Sequence, residues 1–367
     1  MKLLKTITVQ LFMGANVATI LLLWGSCGVT YLYPADFPLL SLLSLAFPVF
    51  VLMNLAFVFF WMVFKIRKVW LPLLGLIACA SFIRDYCPVN PTFLQAPADT
   101  SAHSLRVLSY NTKSFGGNEA KDSLGRNVIV EYICKSNADI ICMQESSGGG
   151  ANLNDVNQRM EALGYQHYQY REQILYSRLP ILQTDILSYP TRTNKGFKAL
   201  LMDGQDTILL INNHFESNHL SDLIKDGYRD AIENKSWNAY EANARDTIRK
   251  ELRPMIDLLA KAAPFRAAQV DTICNIIDQW LPRPVIICGD FNDPPVSYTL
   301  RRLTHELQSS FRESGNGLGF TFHERGFPIR IDHILFSPDH WKSRHTHVDN
   351  TISASDHFPI TTELIRK

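Results

Sequence analysis

Ile331-Asp332-His333-Ile334 and Ser355-Asp356-His357-Phe358 stand near the C-terminus of this 367-residue chain, and Gly289-Asp290-Phe291-Asn292 precedes them. Two Asp-His pairs lie beside strand-like apolar residues. An Asp-x-Asn directly follows the apolar run Val285-Ile286-Ile287-Cys288. Acids, an amide and imidazoles therefore fall where strand ends can bring them together. Such groups suit metal-assisted attack on a phosphate ester: carboxylate and amide oxygens are hard ligands for Mg²⁺, and imidazoles move protons or stabilise oxyanions.

Working outward, three more apolar runs stop at polar groups. Val107-Leu108-Ser109-Tyr110-Asn111 reads as a strand that ends in Asn111, and Ala138-Asp139-Ile140-Ile141-Cys142-Met143-Gln144-Glu145 as a buried strand that ends in Glu145. Leu209-Leu210-Ile211-Asn212-Asn213-His214 is the third, ending at a histidine. Each segment has a plainer reading on its own. Asn111 could close a strand in an Asx turn, and Asp290-Phe291-Asn292-Asp293-Pro294-Pro295 is good turn composition. His333 follows Asp332 and so falls on the opposite face of any strand, which makes it a packing residue.

The ordered series Asn111, Gln144-Glu145, Asn213-His214, Gly289 to Asn292, Ile331 to His333 and Ser355 to His357 resembles the endonuclease/exonuclease/phosphatase superfamily. The likeness covers roughly residues 103–367 and rests on the order and number of its segments rather than on any one of them. It implies a four-layer α/β sandwich, two mixed sheets face to face with helices outside. It also implies a Mg²⁺-dependent phosphodiester hydrolase, with Mn²⁺ a possible substitute. By the same resemblance Glu145 is the main metal ligand, with Asn111 and Asp356 completing the shell directly or through water. Asp290 orients or deprotonates the attacking water, and Asn292 donates to a phosphate oxygen. His357, fixed in one tautomer by Asp332, binds the scissile phosphate and moves protons, and His214 stabilises the pentacovalent phosphorus from the other side.

Composition divides the chain near residue 90. Overall it is 46% hydrophobic and 19% charged, yet residues 7–33 and 37–64 carry no charge at all. Each exceeds the roughly 20 residues needed to cross a bilayer. A third run, 69–83, is shorter and contains Pro72. The basic start Met1-Lys2-Leu3-Leu4-Lys5 looks like a signal leader, but the apolar run is too long for one and a second follows it. Residues 1–87 thus read as an anchor of about three transmembrane helices, 88–104 as a proline-bearing linker and 105–367 as the catalytic domain.

Lys65, Arg67 and Lys68 lie between the second and third runs, whereas Pro34-Ala35-Asp36 between the first two has no basic residue. The positive-inside rule puts the N-terminus and the 65–68 turn in the cytoplasm. Three spans then place the catalytic domain outside the plasma (inner) membrane, and two would leave it in the cytoplasm.

The first 99 residues hold six Lys or Arg and three acids, leaving 30 basic and 32 acidic residues of the chain's 36 and 35 for the remainder. A formal charge near −2 is not the basic footprint of a protein that grips many nucleic-acid phosphates, and it keeps a phospholipid, sphingomyelin or phosphoinositide substrate beside the nuclease reading. A silent receptor or scaffold on the same fold would have no need of the whole set Glu145, Asp290, Asn292, Asp332, His357 and His214. Seven cysteines without regular spacing give neither a disulfide framework nor a zinc motif. Between His214 and Val285, residues 238–262 and 267–280 read as two helices, the first within a 215–265 insertion.

Overall fold

The computed structural model describes residues 2–91, 103–189, 195–218, 244–324 and 328–367, without the side chains of 2–6 and 244–252. Most of the 88–104 linker and residues 219–243 of the expected insertion lie outside these segments.

Among the described residues twelve strands follow the N-terminal helices: β1 (Ser104–Asn111), β2 (Ile140–Gln144), β3 (Gln166–Tyr170), β4 (Gln173–Ser177), β5 (Ile181–Ile186), β6 (Gly196–Asp203), β7 (Asp206–His214), β8 (Val285–Asp290), β9 (Gln308–Ser309), β10 (Asp332–Phe336), β11 (Trp341–Val348) and β12 (Ile360–Arg366). They form two six-stranded sheets, in orders β11-β12-β1-β2-β4-β3 and β5-β6-β7-β8-β10-β9. Each sheet contains one parallel pair, β1 with β2 and β7 with β8, so both are mixed. The alternation of strand side chains explains the layering. Val107, Cys142, Leu210, Cys288 and Ile334 point into the space between the sheets, where Phe197, Phe336 and Trp341 also pack. Their neighbours Leu108, Ile141 and Met143 face helix 128–135 on the outside of one sheet, and Leu209, Ile211 and Ile287 face helix 244–280 outside the other. The four-layer sandwich is therefore built on strands that are apolar on both faces.

Where two helices were expected after His214, one runs from Ala244 to Trp280. It carries Pro254 and Pro264 in its interior. Each proline removes one helical hydrogen bond without ending the helix, because Ala267, Val270, Ile273 and Ile277 are buried at helical spacing along its second half.

The N-terminal part is a helical bundle. Ile7–Tyr31 and Pro38–Phe64 are each long and apolar enough to cross a membrane. Outward residues such as Leu11, Phe59 and Phe64 are exposed, at 70%, 67% and 66%. Inside, polar groups join the helices: Trp61 Nε1 donates to Asn16 Oδ1 at 3.0 Å, and Asn54 Nδ2 to Thr19 O at 3.2 Å. The third apolar run is two helices, Trp70–Ala78 and Ala80–Tyr86, bent by 63°. It runs alongside the first helix in the same direction. Lys68 lies against Met13, Gly75 against Ile20 and Trp24, and Cys79 against Cys27. A Cβ on Gly75 would come within 2.9 Å of Ile20, so glycine permits this approach.

The bundle's far end docks on the sandwich. Val296 sits among Leu23, Cys27, Phe47, Leu76, Cys79 and Tyr86, Arg312 pairs with Asp85, and Gly317 N donates to Pro88 O at 3.0 Å.

Candidate functional site

Strand register builds half of the site. His214 at the end of β7 is in register with Asp290 at the end of β8, and Asp290 is in register with Asp332 at the start of β10. Residues opposite one another share a sheet face, so an imidazole and two carboxylates form a row across three adjacent strands. Asp290 and Asp332 are both buried. Gly289 lets β7 and β8 come together here. Its φ is +148°, and a Cβ would lie 1.8 Å from Asn213 O.

His357 closes the row from the loop before β12. Its Nδ1 is 2.8 Å from Asp332 Oδ2, which sets the tautomer, and its Nε2 lies 3.8 Å from Asp290 Oδ2. Phe322 packs edge-on against the ring at 5.1 Å, and Ser355 Oγ accepts from His357 N while donating to Asn111 O. Burial alone would lower the imidazole, but Asp332 and Asp290 outweigh it and push His357 up to about 10. Burial, then the charge of Asp332, pushes Asp290 up to about 6 against the pull of both histidines.

The other sheet supplies the facing half from strand ends. Asn111 closes β1, and Glu145 follows β2 with a left-handed φ of +47°. Asn111 Nδ2 donates to Glu145 Oε1 at 3.0 Å and to Asp290 Oδ2 at 3.1 Å, so this amide ties the two sheets together at the site. His214 Nε2 is 3.6 Å from both Glu145 Oε1 and Asp290 Oδ2. It is buried and has no hydrogen-bond partner among the described residues.

Asn111, Glu145, His214, Asp290, Asp332 and His357 thus converge. Asp356 and Asn292 stand to either side. Asp356 takes Lys113 Nζ at 2.5 Å, with Glu324 Oε2 at 3.5 Å from the same amine. Burial would raise Asp356, but His357 and Lys113 more than reverse this, and its carboxyl is lowered. Asn292 Nδ2 donates to Phe215 O at 3.1 Å and its backbone N–H to Asp290 Oδ1 at 2.9 Å, which fixes the orientation of that carboxylate. His333 lies on the reverse face, with Nε2 3.1 Å from Asp293 O and burial pushing its ring down to about 3.

Several further groups support the converging residues. Thr321 Oγ1 accepts from both Ile331 N and Asp332 N at 3.0 Å. Beneath the row, Gln144 Nε2 donates to Asn212 Oδ1 at 2.8 Å across the sheets, and Tyr189 O–H to Asn213 Oδ1 at 2.5 Å. Arg266, buried, brings Nε to 2.9 Å from Asp293 Oδ1 and donates to Glu216 O. Gln144, Asn212 and Asn213 were visible as polar residues in otherwise apolar strands. Thr321 was not, since nothing local distinguishes it.

The donor set fits a divalent cation. Glu145, His214 and Asp290 each offer a ligand atom, all within 4.8 Å of one another, and Asp290, Asp332 and His357 do the same. The second group is already joined by the Asp332 to His357 hydrogen bond. The first is bridged by hydrogen bonds through the Asn111 amide, and His214 Nε2 in it stands 3.6 Å from both carboxylates with no hydrogen-bond partner among the described residues. The two carboxylates there are hard oxygen donors of the kind divalent cations take, while Asn111 turns its Nδ2 to them and its Oδ1 accepts from Lys113 N at 3.2 Å.

Residues 108–357 match the model of the Endonuclease/Exonuclease/phosphatase family, and the chain belongs to that family. Its members are generally hydrolases of phosphodiester bonds that use divalent metals. Residues 9–86 match a domain of unknown function. No curated sequence matches significantly. Among solved structures, the endonuclease/exonuclease/phosphatase protein of Bacteroides vulgatus is 15% identical with a TM-score of 0.50, over 72% of this chain and 100% of the other. The human nocturnin catalytic domain with bound sulfate is 17% identical with a TM-score of 0.50, over 72% and 95%. Truncated Caenorhabditis elegans TDP2 is 16% identical with a TM-score of 0.49, over 71% and 97%. At such identity these likenesses concern the fold.

Proposed function

We propose that this chain is a membrane-anchored, Mg²⁺-dependent phosphodiester hydrolase whose catalytic domain faces away from the cytoplasm. The observation that carries the reading is the row His214, Asp290, Asp332 closed by His357, with Glu145 and Asn111 facing it. Glu145 is the chief metal ligand, assisted by Asn111, which would have to turn its amide so that oxygen rather than nitrogen faces the acids. Asp356, held by Lys113, completes the outer shell. Mn²⁺ can replace Mg²⁺ on the same oxygens. Bound there, the metal supplies Lewis-acid stabilisation of phosphate charge.

The protein's own groups handle the proton and the oxyanion. Asp290, raised toward neutrality by its burial, orients and deprotonates the attacking water. His357 is held protonated by Asp332, binds the scissile phosphate through Nε2 and shares in proton transfer. His214 Nε2, without a hydrogen-bond partner among the described residues, faces the same space and stabilises the phosphorane from the other side. Asn292 steadies Asp290 through its backbone N–H, and to donate to a phosphate oxygen its side-chain amide would exchange its present bond to Phe215 O.

The docking of the anchor favours a substrate presented at the bilayer. Val296 lies six positions after Asp290 and is buried in the end of the helical bundle, so the loop leaving the site sits on the anchor. The third apolar run travels beside the first helix and ends where the domain docks, which supports a third crossing and an extracytoplasmic site, opposite the basic 65–68 turn. A phospholipid or sphingomyelin headgroup diester fits that position and the near-neutral domain. A nucleic acid is the second reading, supported by the family. The purified full chain should be offered single-stranded and duplex DNA, RNA, sphingomyelin, phosphoinositides and a bis-aryl phosphate with Mg²⁺. Cleavage of a vesicle lipid is expected, preference for nucleic acid would replace the lipid reading, and no cleavage of any diester would end the assignment.

A further inference from the structure

Arg330 is a buried cation that the hydrolysis does not use. It is 2% exposed, lies over the Phe311 ring at 4.0 Å, and among the described residues has only backbone carbonyls as hydrogen-bond acceptors. Nη1 donates to Leu318 O at 2.6 Å, while Nη2 donates to Asp85 O at 2.5 Å and to Tyr86 O at 3.2 Å. The last two belong to the final turn of the third apolar run, where helix carbonyls lack helical partners and carry the negative end of the dipole. The carboxylate of Asp85 is engaged elsewhere, by Arg312. The catalytic domain therefore caps an anchor helix with a charged fork, and a buried guanidinium without those acceptors is costly.

The cap stands two residues before Asp332. Between them, Ile331 and Asp332 both donate their N–H to Thr321 Oγ1, and Phe291 N donates to Ile331 O at 2.8 Å. Val296 makes a further contact with the bundle, from the loop that follows Asp290. The anchor's end thus touches the chain next to both members of the in-register pair Asp290 and Asp332.

We propose that the anchor is a working part of the active site: the carbonyls of Asp85 and Tyr86 hold Arg330, and Arg330 holds the start of β10 so that Asp332 meets His357. Arg330 is on this view a positioning residue. The proposal rests on the hydrolase reading above for its kinetic arm, and has a second arm that does not. The protein to use is the full chain in detergent or nanodiscs, with a soluble bis-aryl phosphate so that access to lipid plays no part.

Arg330→Met, which keeps the bulk and removes the donors, is expected to lower kcat by ~10-fold or more with KM nearly unchanged, as for a misplaced catalytic group. In an Asp332→Asn background the same change should add little, because its effect passes through Asp332. Arg330→Lys keeps the charge without the fork and should fall between, which also serves if the Met variant does not fold. Hydrogen exchange of the peptide spanning Ile331 and Asp332 should quicken in Arg330→Met while the β1 and β2 peptides stay protected. A wild-type chain that cleaves no diester would defeat the hydrolase reading and leave the exchange arm in force. Unchanged exchange at Ile331 and Asp332, or a kcat loss that multiplies in full with that of Asp332→Asn, would overturn the coupling.

Discussion

The two sheets contribute to the site in different ways. The β7, β8, β10 side offers His214, Asp290 and Asp332 as a row set by strand register, with both carboxylates buried. The β1, β2 side offers Asn111, Glu145 and Lys113 from strand ends and loops, with the Glu145 side chain 38% exposed and left-handed backbone at Lys113 and Glu145. The groups proposed to move protons sit in a rigid ladder, and the proposed chief metal ligand Glu145 sits where its side chain can turn, sharing its candidate cation site with His214 and Asp290 of the ladder. A register-built row tolerates little change, because moving one strand moves every member. A loop-built half can adjust, and its left-handed residues store strain in a place where ligand binding can use it.

The largest expected effects strike the members that join the halves. Asp290→Asn removes the proposed base, and Glu145→Gln the proposed main metal ligand, and each should lower kcat/KM by ~10³-fold or more without unfolding the protein. The comparison predicts that they differ in rescue: raised Mg²⁺ should restore part of the Glu145→Gln activity and none of the Asp290→Asn activity. EDTA should abolish wild-type turnover. Equal response of both variants to Mg²⁺ titration would erase the distinction drawn between the two sides.

Next come the histidines. His357→Ala and His214→Ala should each cost ~10²-fold or more. Asp332→Asn should approach His357→Ala, because an amide can present an N–H where the imidazole needs an acceptor, and the double variant should lose little beyond the worse single. Full multiplication of the two losses would show that Asp332 acts on its own.

Much of the row was readable in the sequence. Apolar runs ending in Asn111, Glu145, His214 and Asp290 announce strands that deliver polar groups at one edge, and period-two alternation sends His333 away from its neighbour Asp332. The single helix over Ala244–Trp280 was less readable, since Pro254 and Pro264 argue locally for a break that burial of its apolar stripe overrides. Lys113 with Asp356, Thr321 beneath Asp332, and Val296 and Arg330 against the N-terminal helices join residues far apart in the chain. No local pattern encodes such contacts, because they arise from how loops pack once both sheets exist.

A subtler effect concerns pH. With Asp290 at about 6 and His357 at about 10, activity that needs the first deprotonated and the second protonated should rise through the lower value and fall through the higher. The negative charge of Asp332 raises both groups, so Asp332→Asn should move both limbs of the residual kcat/KM profile to lower pH. An alkaline limb that stayed near the wild-type position would mean that Asp332 does not hold the imidazolium.

The smallest effect is expected at Lys113, on the adjustable side. Its ammonium lies between Asp356 and Glu324, and although burial would lower it, those acids raise it, so it stays charged over the working pH range. A fixed cation next to a metal site repels the incoming ion by a Coulomb term that salt screens. Lys113→Met should therefore tighten apparent Mg²⁺ binding a few-fold at low ionic strength, with the gain shrinking as salt is added, while kcat changes by less than ~10-fold. Isothermal titration of Mg²⁺ into the full-length variant, at two salt concentrations, measures the binding directly. If kcat instead fell as far as in His357→Ala with Mg²⁺ affinity unchanged, Lys113 would be contacting the transferring phosphate, and the β1, β2 side would hold part of the chemistry rather than the ion alone.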